Sequence, residues 1–223
     1  MNQNSFSIGQ VISKGWNIFS QKFGIVLKFL FVGVFAMFVV QLIVSMFGTS
    51  DNSTIGFIGG IVTYVFNIFI SIGLIKAMMH IVRDEPVELN TLFSGKDQVL
   101  KYILVSILLS ILIGLGFILL ILPGIYLMLR FMFVPYLLVD KEDMSIEDLF
   151  SASSTMTKGI KFNLFLYGIT IFIMNVIGMI PLGFGLLITM PVSFLSFIVL
   201  YETLLRDDSA STPTLTPTDT PQI

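Results

Sequence analysis

Cysteine is missing from the chain altogether, which excludes disulfides, thiolate metal sites and cysteine nucleophiles. Charge is scarce too. Asp, Glu, Lys and Arg make up 12% of the 223 residues, about half the share in a soluble domain. Surface that faces water needs charge, so little of this chain is built for water. The net charge of −2 provides no basic surface for nucleic acid. There is one histidine, His80, and no G-x-S-x-G, P-loop or H-E-x-x-H pattern occurs. His80, Asp84 and Glu88 have the i, i+4, i+8 spacing of ligands on one helix face, but Pro86 interrupts that helix. The expectation is a protein with no metal, no cofactor and no catalytic residues.

Apolar residues make up 55% of the chain, and the mean hydropathy is +0.95. They fall into runs at Phe23–Phe47, Ile55–Met79, Tyr102–Leu122, Ile125–Val139, Phe162–Ile180 and Leu186–Leu205. A helix rises about 1.5 Å per residue and must cross roughly 30 Å of hydrocarbon. The first, second, third and sixth runs are long enough, the fifth is marginal and the fourth is short. A re-entrant hairpin of the third and fourth runs is the alternative to six crossings. The fold class expected is an all-α integral membrane protein of six transmembrane helices in three hairpins.

The connecting segments carry the orientation. Lys14 and Lys22 precede the first run, Arg83, Lys96 and Lys101 lie between the second and third, Lys141, Lys158 and Lys161 lie between the fourth and fifth, and Arg206 follows the sixth. The alternate connections, GTSDNST at 48–54, Pro123-Gly124 and PLGFG at 181–185, contain no Lys or Arg. The positive-inside rule then places both termini in the cytoplasm of a multi-pass protein of the cell (plasma) membrane. The polar, amphipathic first 22 residues do not have the charged-then-apolar order of a cleaved signal peptide.

A short pattern occurs three times: Ile8-Gly-Gln-Val11-Ile12-Ser13, Leu89-Asn-Thr-Leu92-Phe93-Ser94 and Ile146-Glu-Asp-Leu149-Phe150-Ser151. Each is followed by a lysine and an aromatic at the start of a run: Lys22-Phe23, Lys101-Tyr102 and Lys161-Phe162. Apolar residues at i, i+3 and i+4 make one stripe of a helix, suited to lying in the membrane interface. In the first copy the stripe continues through Trp16, Phe19 and Phe23. Ser145-x-x-Asp148 reads as a capping box that opens the third copy. The units expected are 6–79, 87–139 and 145–205, an internal repeat of interfacial helix plus hairpin within one domain, 1–206. The Thr- and Pro-rich residues 207–223 read as a disordered cytoplasmic tail. Lys22, Lys101, Lys161, Trp16, Lys76 and Arg83 are the expected headgroup anchors.

The segment ILPGIY at 121–126, with Arg130, Pro135 and LVD at 138–140, leads into SIEDLFSASSTMTKG at 145–159. With the hydrophobic pattern of residues 6–205, it resembles a bacterial membrane-protein family with a six-helix domain. That domain precedes the catalytic barrel in some glycerophosphodiester phosphodiesterases and also occurs in standalone membrane proteins. The resemblance implies the six-helix fold. It implies no phosphodiesterase activity, because no barrel sequence follows here.

Polar residues inside apolar runs are costly in lipid and are the candidates for function. They are Gln41, Asn67, Arg130, Asn175 and Glu202. Their bland reading is hydrogen bonding between helices; their functional reading is a lined cavity. Arg130 lies about 15 Å along a helix from Asp140, where facing lipid costs roughly 3 kcal/mol. It has three destinations: snorkelling past Pro123-Gly124, satisfaction inside the bundle, or a pair with Glu202, for which Arg206 is a nearer partner at i+4. Its functional version is a phosphate-binding arginine. Ser106, Ser110 and Gly114, and Gly56 with Gly60, have the small-residue spacing of close helix packing. The acids at 140, 142, 143, 147 and 148 read as a solvated loop and helix start, with a Mg²⁺ site as the alternative. The expected partners are membrane lipids, with membrane proteins or self-association as further candidates. The function expected is a non-enzymatic scaffold or lipid- or partner-binding accessory protein. The alternative is a small transporter or lipid-moving protein with an anionic-group site near Arg130.

Overall fold

A computed structural model describes residues 6–47, 53–180 and 182–211. Among these, every regular element is helical. The α-helices are α1 (Ile8–Gln21), α2 (Phe23–Phe47), α3 (Ser53–Arg83), α4 (Val99–Leu119), α5 (Ile121–Phe131), α6 (Val134–Asp140), α7 (Ile146–Met156), α8 (Lys161–Met179) and α9 (Leu186–Ser211). Six stretches are long and apolar enough to cross a membrane: Phe23–Met46, Gly56–Arg83, Leu89–Leu119, Ile121–Asp140, Lys161–Met179 and Leu186–Asp207. Their outward faces are apolar. Phe31, Phe35 and Phe38 of α2, Ile107 and Ile111 of α4, and Phe172 and Ile173 of α8 are all exposed. In water such faces would drive aggregation; in hydrocarbon they are correctly solvated.

Consecutive helices pack in pairs, α2 on α3, α4 on α5 and α8 on α9. The core lies at the end of the bundle where α3, α6 and α9 meet. Ala77, Met78 and Ile81 of α3, Leu137 and Leu138 of α6, and Leu195, Ile198 and Tyr201 of α9 are buried there. The lysines and acids gather at this charged end. The opposite, bare end holds the turns at Leu120 and Gly183.

The fourth crossing is the largest departure from the sequence reading. Pro123 and Gly124 lie inside α5 and are not a connecting turn; the turn is Leu120, with extended φ −171°. Proline fits here because the N–H it lacks belongs to the first helical turn, where that group has no intrahelical acceptor. The crossing therefore starts at Ile121 and covers 20 residues to Asp140, which removes the shortage expected for Ile125–Val139. It breaks at Met132 and Phe133, just before Pro135 of α6. Proline cannot donate to the carbonyl four residues back, so the backbone restarts from Phe133 as a new N-cap.

The three lead-in segments differ from one another. α1 is a full helix, but Val11, Gly15 and Phe19 face protein, and α1 packs on α9. A Cβ on Gly15 would lie 2.9 Å from the Ser196 Cα, so the two helices almost touch. Trp16, on the adjacent face, stays half exposed. The second lead-in is two 3-10 turns, Leu89–Phe93 and Lys96–Gln98, the latter running straight into α4. The third, α7, ends before a turn at 157–160. The Ser145 hydroxyl accepts from the Asp148 N–H at 3.1 Å and donates to the Asp148 carboxylate at 2.7 Å, as the capping-box reading expects for the first of these bonds. Ser145→Ala is expected to cost about 1 kcal/mol of α7 stability, read as faster amide exchange over residues 146–150.

The helix starts at Phe23 and Lys161 fall within one residue of the lysine–aromatic junctions, whereas α4 begins at Val99, before Lys101. α9 runs on to Ser211, so residues 207–211 are helical and not the start of a disordered tail. The rest of that tail, and the connection at 48–52, lie outside the described residues.

Candidate functional site

The charged end is laced by ion pairs, and its centre is Arg83. This residue ends α3, where a cation complements the helix dipole. One terminal nitrogen lies 2.6 Å from Asp140 Oδ1 and 2.7 Å from Glu202 Oε1. Its Nε donates to the same Glu202 oxygen at 2.7 Å. The Tyr201 hydroxyl donates to Asp140 Oδ2 at 2.9 Å, and Lys141 Nζ approaches that oxygen at 3.6 Å. The Asp140 side chain is 4% exposed and that of Glu202 12%. A carboxylate at the C-terminus of α6 is unfavourable by itself; Arg83 and Tyr201 offset that. The network joins the C-terminal ends of α3 and α6 to the C-terminal half of α9.

Asp140 is therefore no part of a solvated acidic loop, and Glu202 pairs neither with Arg130 nor with Arg206. Arg83 faces inward and is not a headgroup anchor. Lys76 is also a correction: its side chain is 16% exposed and binds Glu142 Oε1 at 2.7 Å. Lys101 donates to the carbonyls of Glu142, at 2.8 Å, and Met144. Lys22 donates to the Ile81 carbonyl at 2.9 Å and to Asp84 Oδ1 at 2.5 Å. It thus closes the end of α3, where Asp84 has φ +62° and the Glu85 N–H reaches the His80 carbonyl at 2.9 Å. The hydrogen bond from Lys22, and then its charge, hold the Asp84 carboxyl below its ordinary pKa. The pairing thus favours the fold above the ordinary aspartate value and fades as pH falls through the lowered one. Lys161 Nζ sits 5.0 Å from the centre of the Tyr126 ring and 3.5 Å from the Thr157 carbonyl. Among the described residues Trp16, half exposed beside Phe19, is the one expected anchor without a hydrogen-bond or ion-pair partner.

Arg130 lies inside the bundle wall, against α7. Its Nε donates to Ser154 Oγ at 2.8 Å. Its carbonyl, at the break before α6, accepts from Ser153 Oγ at 3.0 Å and Thr157 Oγ1 at 3.3 Å. The two hydroxyls replace the helical donor that the break removes. No acceptor among the described residues meets the two terminal guanidinium nitrogens. Lys161 Nζ reaches the carbonyl of the same Thr157 at 3.5 Å, and neither cation has a carboxylate partner among the described residues. Met in place of Arg130 is expected to leave thermal stability within about 1 kcal/mol, since the one hydrogen bond lost to Ser154 is offset by removal of a partly buried charge while the apolar stem is kept. A loss well beyond that, in detergent unfolding, would mean that the guanidinium holds α5 to α7.

The remaining candidates do not converge on Arg130. Gln41 and Asn67 line one groove of about 520 Å³ between α2 and α3, where Asn67 donates to the Thr63 carbonyl at 2.8 Å. Asn175 joins α8 to α9 through Ser193 Oγ at 2.8 Å, the interhelical bond expected of it. Among the described residues Gln41 and Asn67 line one groove, while Arg130, Asn175 and Glu202 each bond elsewhere and share no cavity with them. The glycines of the small-residue patterns mark no close approach among the described residues: added Cβ atoms on Gly56, Gly60 or Gly114 would meet nothing within 4 Å. No metal-holding cluster of His and acids occurs among the described residues. His80 turns to Glu85, 3.2 Å away.

Sequence reading passed over Lys28 and Tyr201 and misplaced Asp140. Lys28 was visible by the same criterion as Arg130, a lone charge in an apolar run. Asp140 was hidden by its acidic neighbours, and Tyr201 looked like any interfacial aromatic. In comparisons with known proteins, no family model, no curated protein and no solved structure matches the chain.

Proposed function

We propose that this chain is a non-enzymatic scaffold or accessory protein of the plasma membrane, with both termini cytoplasmic, which binds lipids or membrane partners. The observation that carries this reading is the Arg83–Asp140–Glu202 network. A body whose helices α3, α6 and α9 are tied together by buried charges suits a fixed platform better than a machine whose halves rock apart. The Lys- and Arg-free alternate connections support the orientation. The likeness of residues 121–163 to the membrane domain of the phosphodiesterase family belongs to the same proposal and brings no catalytic activity with it.

The cysteine-free chain makes the test direct. Spin labels at Ser94 and Lys158, both exposed at the charged end, should give one distance distribution in lipid nanodiscs, unchanged by lipid composition or a pH gradient. Two interconverting distributions would sink the platform reading in favour of the second one, a small transporter or lipid-moving protein. That alternative, as an anionic-group site, is favoured by Arg130, whose terminal nitrogens meet no acceptor among the described residues and whose backbone carbonyl shares Thr157 with Lys161. Cysteines at Ser50 and Ser209 should label from opposite sides of the membrane; labelling from the same side would overturn the topology.

A further inference from the structure

Lys28 stands alone in the first crossing. It is the sixth residue of α2, about 8 Å from the helix start at the charged end. Its side chain leans toward the helix N-terminus, and so toward headgroup level. The other cations of the crossings near this end are occupied: Lys76 by Glu142, Arg83 by Asp140 and Glu202, Lys101 by carbonyls. Lys28 is exposed and has no ion-pair partner among the described residues. It lines a pocket of about 490 Å³ between α2 and the 87–90 segment, within the rough 300–1,000 Å³ range of small-ligand clefts. Glu88 and Asn90 share the pocket; Glu88 too is exposed and unpaired. The rest of the wall includes Ile25, Phe29 and Val87.

A cation and an anion that line one pocket without neutralising each other, beside an apolar wall at headgroup depth, match one chemistry. We propose that this pocket binds the headgroup of a zwitterionic aminophospholipid, its phosphate at Lys28 and its primary ammonium at Glu88. The Asn90 amide supplies a further donor or acceptor for the headgroup, and the apolar wall takes the start of an acyl chain. An anionic lipid without an amine would satisfy Lys28 but leave Glu88 facing like charge. A choline headgroup carries the positive charge without N–H donors and loses the hydrogen bond to Glu88. The site stands on residues separate from the Arg83 network and does not depend on the platform reading.

The test uses the full chain, purified in detergent, stripped of lipid, then titrated with phosphatidylethanolamine, phosphatidylglycerol or phosphatidylcholine and read by native mass spectrometry. The wild type should bind phosphatidylethanolamine most tightly. Lys28→Met should weaken that binding by roughly tenfold, the scale of one charge-assisted hydrogen bond. Glu88→Gln should abolish the preference over phosphatidylglycerol while leaving phosphate binding. Both side chains are exposed, so unfolding midpoints should match the wild type. Equal binding of the three lipids by the wild type, an unchanged phosphatidylethanolamine affinity in Lys28→Met, or an unchanged preference in Glu88→Gln would overturn the proposal.

Discussion

Replacing Arg83 with Met is expected to lower stability by about 3 kcal/mol, read as a fall in the unfolding midpoint in detergent micelles. The reason is not that the ion pairs contribute that much net stability. Forming them required stripping water from three charges, and that desolvation cancels most of their attraction. Removing the cation alone leaves the desolvation of Asp140 and Glu202 uncompensated, with side chains 4% and 12% exposed. Two carboxylates on converging helices then face each other with only Tyr201 and the more exposed Lys141 to answer them. The triple replacement Arg83→Met, Asp140→Asn, Glu202→Gln should recover most of the loss, because no charge is left stranded. Arg83→Lys should recover only part. An ammonium is one point of charge and cannot place Nε on Glu202 while a terminal nitrogen bridges to Asp140. If Arg83→Met proved neutral and the triple variant no better, the network would be incidental and the platform reading would lose its main support.

The six crossings were legible because bilayer thickness turns a one-dimensional hydropathy pattern into helix length. The capping box was legible because Ser145 and Asp148 interact within one turn. The charged network was not, because its members come from positions 83, 140 and 202 and meet only through tertiary packing. From sequence, each had a cheaper local explanation: headgroups for Arg83, solvent for Asp140, and Arg206 at i+4 for Glu202. Arg130 was legible as an intramembrane arginine in need of acceptors, but the one it reaches, Ser154, lies on α7, a helix expected to belong to the membrane surface. The lead-in segments show the limit of a shared pattern. Three stretches with the same apolar spacing became a helix clamped on α9, a pair of 3-10 turns and a capped short helix, according to what each packs against.

Gly73→Ala should be nearly as damaging as the loss of Arg83, although it adds one methyl group. A Cβ at position 73 would lie 2.0 Å from the Leu92 carbonyl oxygen and 2.5 Å from its carbon. Both are backbone atoms, so no side-chain rotation relieves the clash, and the 3-10 turn Leu89–Phe93 must move off α3. Leu92, fully buried in the native packing, then leaves the core. Vacating a buried leucine site costs about 2–5 kcal/mol when the surroundings cannot collapse. Residues 87–98 should become sites of proteolysis and fast amide exchange. Gly60→Ala and Gly114→Ala are the matched controls, since an added methyl there meets nothing within 4 Å, and they should leave stability close to the wild type. The displaced turn also carries one wall of the Lys28 pocket, through Glu88 and Asn90. Gly73→Ala should therefore weaken aminophospholipid binding along with stability, whereas Glu88→Gln should change lipid preference alone. A Gly73→Ala protein that kept both its unfolding midpoint and its lipid preference would refute the close contact between α3 and the 3-10 turn.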